Sequence, residues 1–403
     1  MGWSTGWAPT AAELNTCVDC GLCLPHCPTF RLTGDEAASP RGRLNAMEAV
    51  ASGIVAMDEA FDHVMSFCLQ CRACEAACPS LVPFGRAMEG ARAEVAAARP
   101  QGRRLRGRIL GRWIGRRRLV GGVSFVAALL QRVGRWIVPR RLRRGVDGLR
   151  RLPFRRSSVV GYESPGSGDT VGLLAGCVMD PWFGGVHQAT IELLERAGYR
   201  VVVPEEQTCC GALAAHEGAA DEATRMAAAN AGAFSGVDNV VANAAGCSAH
   251  LAGYGHWGVP DLAERAVDAL RLVAEAISDG RLPTLDPTGE RVAVQDPCHH
   301  RHALRMTDEP RTIVRAAGFE PIGVDPSGMC CGAAGVYSIL WPDTSEGLGK
   351  AKAAEVRATG CSIVASANPG CEMQLRSHLS GDARVVHPLE LYAEAVSATR
   401  RSR

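Results

Sequence analysis

The stretch CVDCGLCLPHCP at residues 17–28 and the stretch CLQCRACEAACP at residues 68–79 share one spacing, C-x2-C-x2-C-x3-C-P. Three thiolates at this spacing can converge on one iron–sulfur cube, and in chains with two such runs the fourth Cys ligates the other cluster. The sequence therefore predicts two [4Fe–4S] clusters with crossed ligands. One predicted set is Cys17, Cys20, Cys23 and Cys78, and the other is Cys68, Cys71, Cys74 and Cys27.

Zinc is the alternative for these runs, because C-x2-C is also a zinc spacing. Zinc sites are built from two pairs of ligands, however, whereas each run has three evenly spaced Cys and a Cys-Pro. The pattern therefore favours iron–sulfur clusters, and a chain that holds two of them moves electrons.

The length of 403 residues and the 47% hydrophobic content indicate a globular chain of two or three domains. Its 17 Cys are not expected to form disulfides, because the N-terminus MGWSTGWAPTAAEL lacks the basic and apolar regions of a signal peptide. Gly2 is not expected to be myristoylated, since position 6 is Gly. The expected compartment is the cytoplasm.

The net charge of +2 conceals a strongly basic segment: residues 100–156 hold 18 Arg and one acidic residue, Asp147. Ile, Leu, Val and Trp recur among these Arg at helical intervals. The longest uncharged run, 119–131, is too short for a spanning helix, which needs roughly 20 residues. Three interpretations remain open for the segment 103–156: a helix on the membrane surface, a docking surface for an acidic partner, or a solvated linker. Nucleic-acid binding is not favoured, because nothing else in the chain resembles a nucleic-acid module.

Within the N-terminal part, apolar spacing predicts helices at 44–55 and 85–98. From residue 168, short β-branched runs alternate with amphipathic helices, which is typical of parallel sheets covered by helices. The predicted strands are 171–175, 200–203, 239–242, 291–295, 321–324 and 363–365. The predicted helices are 188–197, 219–234, 309–317 and 349–357.

The second half of the chain contains an internal duplication of cysteines, with the spacing from the first Cys to the Cys-Cys-Gly pair conserved between copies. The first copy has Cys177, Cys209, Cys210 and Cys247, and the second has Cys298, Cys330, Cys331 and Cys371. Repeated structure with repeated Cys predicts two sites of the same kind. Adjacent Cys side chains diverge, so each set is expected to bind an unusual [4Fe–4S] cluster or, alternatively, to be a redox dithiol or a set of structural thiols. Cys361 has no counterpart and is interpreted as a small buried hydrophobe.

The remaining motifs, a glycine pattern and several histidines, give weaker evidence of function. Gly253, Gly255 and Gly258 fit G-x-G-x-x-G but do not follow a strand, and Trp257 crowds the place of a pyrophosphate, so a loop is favoured over a dinucleotide site. Three histidines flank Cys298 and could tune a cluster or relay protons, or be ordinary polar residues: His299, His300 and His302. The remaining histidines considered have no stronger claim: His187, His216, His250 and His387.

The order of these motifs resembles the glycolate oxidase iron–sulfur subunit family, which is related to iron–sulfur subunits of lactate utilisation and of glycerol-3-phosphate dehydrogenase. The resemblance covers nearly all of residues 14–396. It is carried by CVDCGLCLPHCPTFRLTGDEAASPRGRL, FCLQCRACEAACPS, QDPCHHRHALR, MCCGAAGVYS and VVHPLELYAEA. The repeats also resemble those of the heterodisulfide reductases, but that pattern ends in C-x-x-C, where this chain has His250 and Gln374.

The resemblance implies a mixed α+β and α/β fold. A helical two-cluster, ferredoxin-like domain at 1–98 and an Arg-rich linker at 99–166 would precede two cysteine-rich domains, at 167–285 and 286–403. It also implies an electron-transfer subunit without FAD or NAD, whose partner flavoprotein oxidises glycolate or another 2-hydroxy acid. Electrons would pass to a quinone or other acceptor, with the chain cytoplasmic and peripheral on the inner face of the membrane. The alternatives are a subunit of a D-lactate or glycerol-3-phosphate dehydrogenase, a thiol/disulfide enzyme of the heterodisulfide reductase kind, and a zinc-stabilised scaffold.

Overall fold

The computed structural model describes residues 3–98, 117–133, 148–152 and 158–401. Much of the Arg-rich segment, at 99–116, 134–147 and 153–157, lies outside the described residues. Most of the helical spacing predicted for the segment falls on those residues.

Residues 3–98 form a helical module, as predicted. Its helices are Ala11–Leu14, Pro28–Thr33, Pro40–Ala51, Glu59–Ser66, Ala73–Ala76 and Phe84–Ala98. The first predicted helix begins at Pro40, because the Ser39 side chain accepts a hydrogen bond from the Gly42 amide (2.9 Å) and Pro40 stands at the first helical position. Met47, Met65 and Met88 are fully buried where the helices meet.

Residues 170–386 contain two four-stranded parallel sheets of the same topology. The first has the order β2-β1-β3-β4 and the second the order β6-β5-β7-β8. The strands are β1 Thr170–Leu173, β2 Arg200–Val202, β3 Asn239–Ala242, β4 Ala266–Asp268, β5 Arg291–Gln295, β6 Glu320–Gly323, β7 Ile363–Ser366 and β8 Arg384–Val386. The internal duplication in the sequence is therefore a duplication of a whole sheet.

Helices cover the sheets in both modules. In the first they are Met179–Trp182, Gly184–Arg196, Ala212–His216, Ala220–Ala233, Ala245–Ala252, Pro260–Arg265 and Ala269–Ser278. In the second they are Asp308–Ala316, Tyr337–Leu340, Pro342–Ala358, Pro369–Leu379 and Pro388–Arg401, with a π-helical turn at His299–Leu304.

The two modules share a hydrophobic core. Helices Gly184–Arg196 and Ala269–Ser278 of the first module pack against helices Asp308–Ala316 and Pro388–Arg401 of the second. Leu194 and Leu389, one from each module, are fully buried in this core. Burial of such a side chain stabilises the fold by about 1.5–3 kcal/mol, so the layer holds the modules together.

The helix Arg117–Val133 is the described part of the Arg-rich segment, and it docks on the first module. The Trp182 indole donates a hydrogen bond to the Ser124 hydroxyl (2.6 Å), and Ala128 is fully buried. No helix within the described ranges combines the length and the apolar character that crossing a bilayer requires.

Candidate metal centres

The first Cys run is shaped by left-handed backbone. Asp19 has φ +52° and Gly21 has φ +79°, and a 3-10 turn at Leu24–His26 leads to Cys27, which precedes the helix Pro28–Thr33. These turns bring the first three thiols to one side of the loop, where Cys17, Cys20 and Cys23 line a cavity.

Residues of the second run complete that cavity. Cys74 and Cys78 line it together with the first three thiols. Burial raises the pKa of the Cys17 thiol, and the nearby Cys78 raises it further. Cys78 thus lies beside the first set, as the crossed arrangement requires.

The reciprocal contact is also present. Burial raises the pKa of Cys71 and of Cys74 well above the ordinary value, and in both cases Cys27 is among the neighbouring thiols that add to the effect. The Cys27 thiol lies 3.2 Å from the Thr29 hydroxyl and 3.6 Å from the Ala38 carbonyl oxygen. Each run therefore sends its fourth thiol toward the other.

Two buried arginines hold this region together, and the sequence analysis missed both. Arg43, 1% exposed, donates to the carbonyls of Ala38 (2.7 Å) and Val64 (3.0 Å). Arg92 donates to the carbonyls of Met65, Ser66 and Cys68 and, in the first cysteine-rich module, to that of His216. Nothing in the sequence indicates that these two arginines are buried, although Arg43 belongs to the SPRGRL motif.

In the first cysteine-rich module, the four predicted thiols meet beyond the carboxyl ends of the strands, where parallel sheets place ligands. Cys177 follows β1, the Cys209-Cys210 pair follows β2, and Cys247 lies in the helix after β3. The Sγ atoms of Cys209 and Cys177 are 3.1 Å apart, and those of Cys210 and Cys247 are 3.4 Å apart. The adjacent thiols of Cys209 and Cys210 are also in hydrogen-bonding contact with each other, so the expected divergence of the two side chains is wrong, and all four thiols form one group.

The second module repeats the arrangement. Cys298 and Cys330 are within hydrogen-bonding contact, and the Sγ atoms of Cys331 and Cys371 are 3.2 Å apart. The Asn368 amide also donates to the Cys371 sulfur (3.5 Å). Four thiols from three strand ends thus meet in each copy.

The electrostatics of these sets suit a bound cation. The hydrogen bond between Cys177 and Cys209, followed by burial, raises the pKa of Cys177. The same hydrogen bond lowers the pKa of Cys209. In the second copy the contact with Cys330 and burial raise the pKa of Cys298. In the first set the Cys209 thiol can therefore lose its proton readily. In the second set the pKa values of Cys298, Cys330 and Cys331 are all raised, so thiolates there need an added positive charge. Thiolates are the ligands that iron–sulfur clusters prefer, so the donor sets fit.

Within the described ranges, no group of three or more His, Cys, Asp or Glu side chains is arranged around a point that a single metal ion could occupy.

The second cysteine-rich set lies directly against the N-terminal thiols. Cys71 and Cys330 belong to one hydrophobic cluster with Tyr337 and Leu348, and Cys298 packs against it. The Tyr337 hydroxyl donates to the Phe67 carbonyl (3.3 Å), and the Trp341 indole donates to the Ser66 carbonyl (3.1 Å). These contacts join the second module to the helical module at the thiols.

The three histidines near Cys298 are structurally distinct. His300 is fully buried and lies 2.8 Å from the Asp268 carboxylate of the first module, while His302 lies 3.0 Å from the Gly328 carbonyl oxygen. Burial lowers the pKa of His299 to about 3, and its ring stacks on His216 at 6.0 Å. His300 therefore bridges the modules, and His302 holds a loop.

His187, His250 and His387 are buried, and His216 is half-buried. His187 lies between the Ala175 carbonyl (2.8 Å) and the Asn243 amide (3.0 Å), and His387 lies 3.0 Å from the Asn243 carbonyl. Burial lowers the pKa of His250 to about 4, and its ring packs on Tyr254 and Trp257. His187 and His387 thus join segments around the first site, while His250 lies in the helix that carries Cys247.

The G-x-G-x-x-G motif and Cys361 both lie outside the thiol sets. Gly253 to Gly258 form a 3-10 turn that follows a helix rather than a strand, and Trp257 is 3% exposed within it. Cys361 is half-buried, packs beside the second sheet, and has its Sγ 3.8 Å from the Thr359 carbonyl oxygen.

Comparison with known families agrees with this architecture. A model of the 4Fe-4S dicluster domain matches residues 13–103, and a model of the cysteine-rich domain matches residues 171–252 and 292–376. These matches favour iron–sulfur clusters over the zinc alternative, and the chain is an iron–sulfur protein.

Several curated proteins are similar over most of the chain. A probable glycolate oxidase iron-sulfur subunit of Bacillus subtilis (strain 168) is 35% identical, over 95% of this chain and 94% of the relative. The glycolate oxidase iron-sulfur subunit of Escherichia coli (strain K12) is 28% identical over the same shares. Lactate utilization protein A of Oceanobacillus iheyensis is 28% identical over 55% of this chain and 95% of the relative. The predicted resemblance is confirmed, and the heterodisulfide reductase alternative is not favoured.

Proposed function

The chain belongs to the glycolate oxidase iron–sulfur subunit family, and we propose that it carries electrons from a partner flavoprotein that oxidises glycolate. The chain is the electron-transfer component of an oxidoreductase complex. When bound, the clusters accept and release single electrons; the residues of this chain hold them and exclude water from them.

The observation that carries the proposal is the continuity of the thiol sets. Cys78 lies beside Cys17, Cys27 lies beside Cys71 and Cys74, and Cys71 shares a hydrophobic cluster with Cys330. Electron transfer needs closely spaced carriers, and this row offers three neighbouring positions for them.

The proposed ligands follow from the same contacts. Cys17, Cys20, Cys23 and Cys78 would hold one cluster, and Cys27, Cys68, Cys71 and Cys74 the other. Further clusters would be held by each cysteine-rich set, by Cys177, Cys209, Cys210 and Cys247 and by Cys298, Cys330, Cys331 and Cys371. The proposed domains are 1–98, 99–166, 167–285 and 286–403.

The electron acceptor in this proposal is a quinone. A cleft of about 470 Å³ lies between the helical module and the second cysteine-rich module, with His63, Phe67 and Trp341 in its wall. Ala38 also lines it, and the Ala38 carbonyl oxygen lies 3.6 Å from the Cys27 sulfur. An aromatic cleft beside a thiol ligand suits a planar acceptor.

A membrane contact through the basic segment 103–156 would bring the chain to such an acceptor. Within the helix Arg117–Val133, Phe125 and Val126 are more than half exposed while Ala128 is buried against the first module. An exposed apolar face on a helix rich in Arg is typical of segments that lie in the headgroup plane.

D-Lactate is the second candidate substrate, because relatives named lactate utilization protein A match more than half of the chain. The selecting pocket would lie in the flavoprotein, so the substrate depends on that partner.

The test is to purify the complex of this chain with its flavoprotein without oxygen, and to measure glycolate- and D-lactate-dependent reduction of a quinone analogue. The chain should contain at least about eight iron and eight sulfide ions, and the flavoprotein alone should reduce the quinone analogue far more slowly. An iron-free chain, or equal quinone reduction by the flavoprotein alone, would contradict the proposal.

A further inference from the structure

His250 occupies a special position in the first cysteine-rich module. It lies three residues after Cys247 in the helix Ala245–Ala252, and residues three apart in a helix share a face. Only 7% of the residue is exposed. In the second module, Gln374 stands at the same distance from Cys371.

The Nε2 atom of His250 is buried and has no hydrogen-bond partner among the described residues. A buried polar atom left without a partner costs about 1–3 kcal/mol, and native structures rarely contain one. This nitrogen therefore indicates a partner that is not part of the polypeptide.

The neighbours of the ring indicate where that partner lies. Gly211 directly follows the Cys209-Cys210 pair with φ +94°, and a Cβ on Gly211 would lie 3.3 Å from the His250 Nε2. The glycine thus leaves room for the imidazole beside the adjacent thiols. Tyr254 packs edge-on against the ring at 5.6 Å and donates a hydrogen bond to the Cys210 carbonyl (2.7 Å), which ties the ring to the same pair.

In the second module, other parts of the protein occupy the space that corresponds to the His250 ring. A Cβ on Gly332 would lie 2.8 Å from the Ser345 carbonyl oxygen, so the helix Pro342–Ala358 occupies that place. The Gln374 amide donates to the same Ser345 oxygen (2.9 Å). Gln374 is therefore satisfied by the protein, whereas His250 is not.

We propose that His250 supplies its Nε2 as an imidazole ligand to an iron of the cluster held by Cys177, Cys209, Cys210 and Cys247. Imidazole is a good ligand for iron. The first site is then a mixed thiolate–imidazole site, and the second binds its cluster through thiolates alone. This inference rests on the proposed function, because it requires a cluster at the first cysteine-rich set.

The test is pulsed electron paramagnetic resonance of the reduced complex, with the full chain labelled with ¹⁵N-histidine. The wild-type complex should show a nitrogen coupling of the size of a directly bound imidazole, and this coupling should change with the isotope. His250→Gln should lose the coupling. His256→Gln is the matched control, because the His256 ring packs on Trp7 and Trp257, at centroid distances of 5.9 and 4.9 Å, and it should keep the coupling.

A second variant, His250→Cys, guards against loss of the fold, since a thiolate can replace the nitrogen as a ligand. It should keep the iron content and lose the nitrogen coupling. A wild-type complex that contains the cluster signals of all sets but has no isotope-sensitive coupling would overturn the inference and leave the proposed function standing. A complex without any cluster at the first set would overturn both the inference and the ligands proposed for that set.

Discussion

The two cysteine-rich modules have the same strand order and the same pairing of thiols, but different surroundings. In the second, Cys330 packs with Cys71 of the helical module. In the first, the helix Ala245–Ala252 carries His250 beside the Cys-Cys pair. Duplication thus preserved the strand ends that position thiols, while the neighbouring residues came to differ. The thiols of the second module therefore lie against those of the helical module.

The modules also hold each other by reciprocal contacts from equivalent positions. Asp268 at the end of β4 accepts from the Leu270 amide and lies 2.8 Å from His300 of the second module. His387, just after β8, accepts from the Leu389 amide and lies 3.0 Å from the Asn243 carbonyl of the first. The same strand end therefore holds an acid in one module and a histidine in the other.

The largest effect is expected from Cys71→Ala, which removes a proposed ligand at the contact with the second module. Quinone reduction driven by substrate should fall by more than about tenfold, because loss of a ligand exceeds the loss of an outer-shell partner. The signal of the first cysteine-rich set should remain. Cys361→Ala is the control, since Cys361 lies outside every thiol set, and it should react at the wild-type rate. Equal rates in the two variants would contradict the proposed route.

The next effect concerns Arg150, which joins the modules. Its guanidinium binds Glu372 and Glu390 of the second module at 2.6–2.7 Å and lies 4.7 Å from the Phe183 ring centroid of the first. Arg150→Met leaves the half-buried Glu390 without its guanidinium partner and leaves the buried Glu372 with only its pair to Arg376, so the free energy of unfolding should fall by about 3–5 kcal/mol.

Urea unfolding of the holo chain measures this loss. Arg384→Met removes a pair with Glu394 in which both side chains are at least half exposed, so it should cost less than about 1 kcal/mol. A similar cost for both variants would show that Arg150 does not clamp the modules.

The segment around Arg150 illustrates a contact that could not be predicted from the sequence. The N-terminal thiol sets were predictable from the local spacing of their Cys, the cysteine-rich sets from the internal duplication, and six of the eight strands from β-branched runs. The strands β4 and β8 were missed: β4, Ala-Val-Asp, has one β-branched residue, whereas β8 has the same residues, Arg-Val-Val, as the predicted β2 and so carried a usable signal. Arg150 was one of many Arg in a basic segment, and its acidic partners lie more than 200 positions away.

Helix ends were also less predictable than helix positions. The helix Pro342–Ala358 begins earlier than the predicted residue 349, because Pro342 starts it and its interior glycines, Gly347 and Gly349, lower the local helix propensity. A Cβ on Gly349 would lie 2.5 Å from the Gln374 amide nitrogen, so that glycine serves close packing. Such a contact between distant segments is visible only in the folded chain.

A smaller effect is expected from His387→Gln on the pH dependence of stability. Burial lowers the pKa of His387 to about 3, below the value of about 6.5 in the unfolded chain. The unfolded state then binds more protons, so stability is complete above about pH 6.5 and falls as the pH drops toward 3, by up to about 1.4 kcal/mol per pH unit.

Gln can keep the hydrogen bond to the Asn243 carbonyl without taking up a proton. His387→Gln should therefore reduce the slope of unfolding free energy against pH between 6.5 and 4. His63→Gln, at an exposed position, should leave that slope unchanged. An unchanged slope in His387→Gln would contradict the contribution of this residue.

The smallest effect concerns the helix Arg117–Val133, which docks on the first module. Phe125 is 55% exposed there, and Phe125→Ser should weaken binding of the complex to anionic lipid vesicles by roughly tenfold. Ile339→Ser, which removes a 74% exposed apolar side chain from the second module, should not. Equal binding of wild type and both variants would favour a docking surface for a protein partner over a membrane contact.

The crossed thiol sets are the central claim, and the iron content of double variants tests them most directly. Cys20→Ala and Cys78→Ala should each remove one cluster, about four iron ions. If the ligands cross, the Cys20→Ala, Cys78→Ala double variant should lose no more than either single variant, while Cys20→Ala with Cys27→Ala should lose about eight. The opposite result, additive loss in the first double variant and a single loss in the second, would contradict the account.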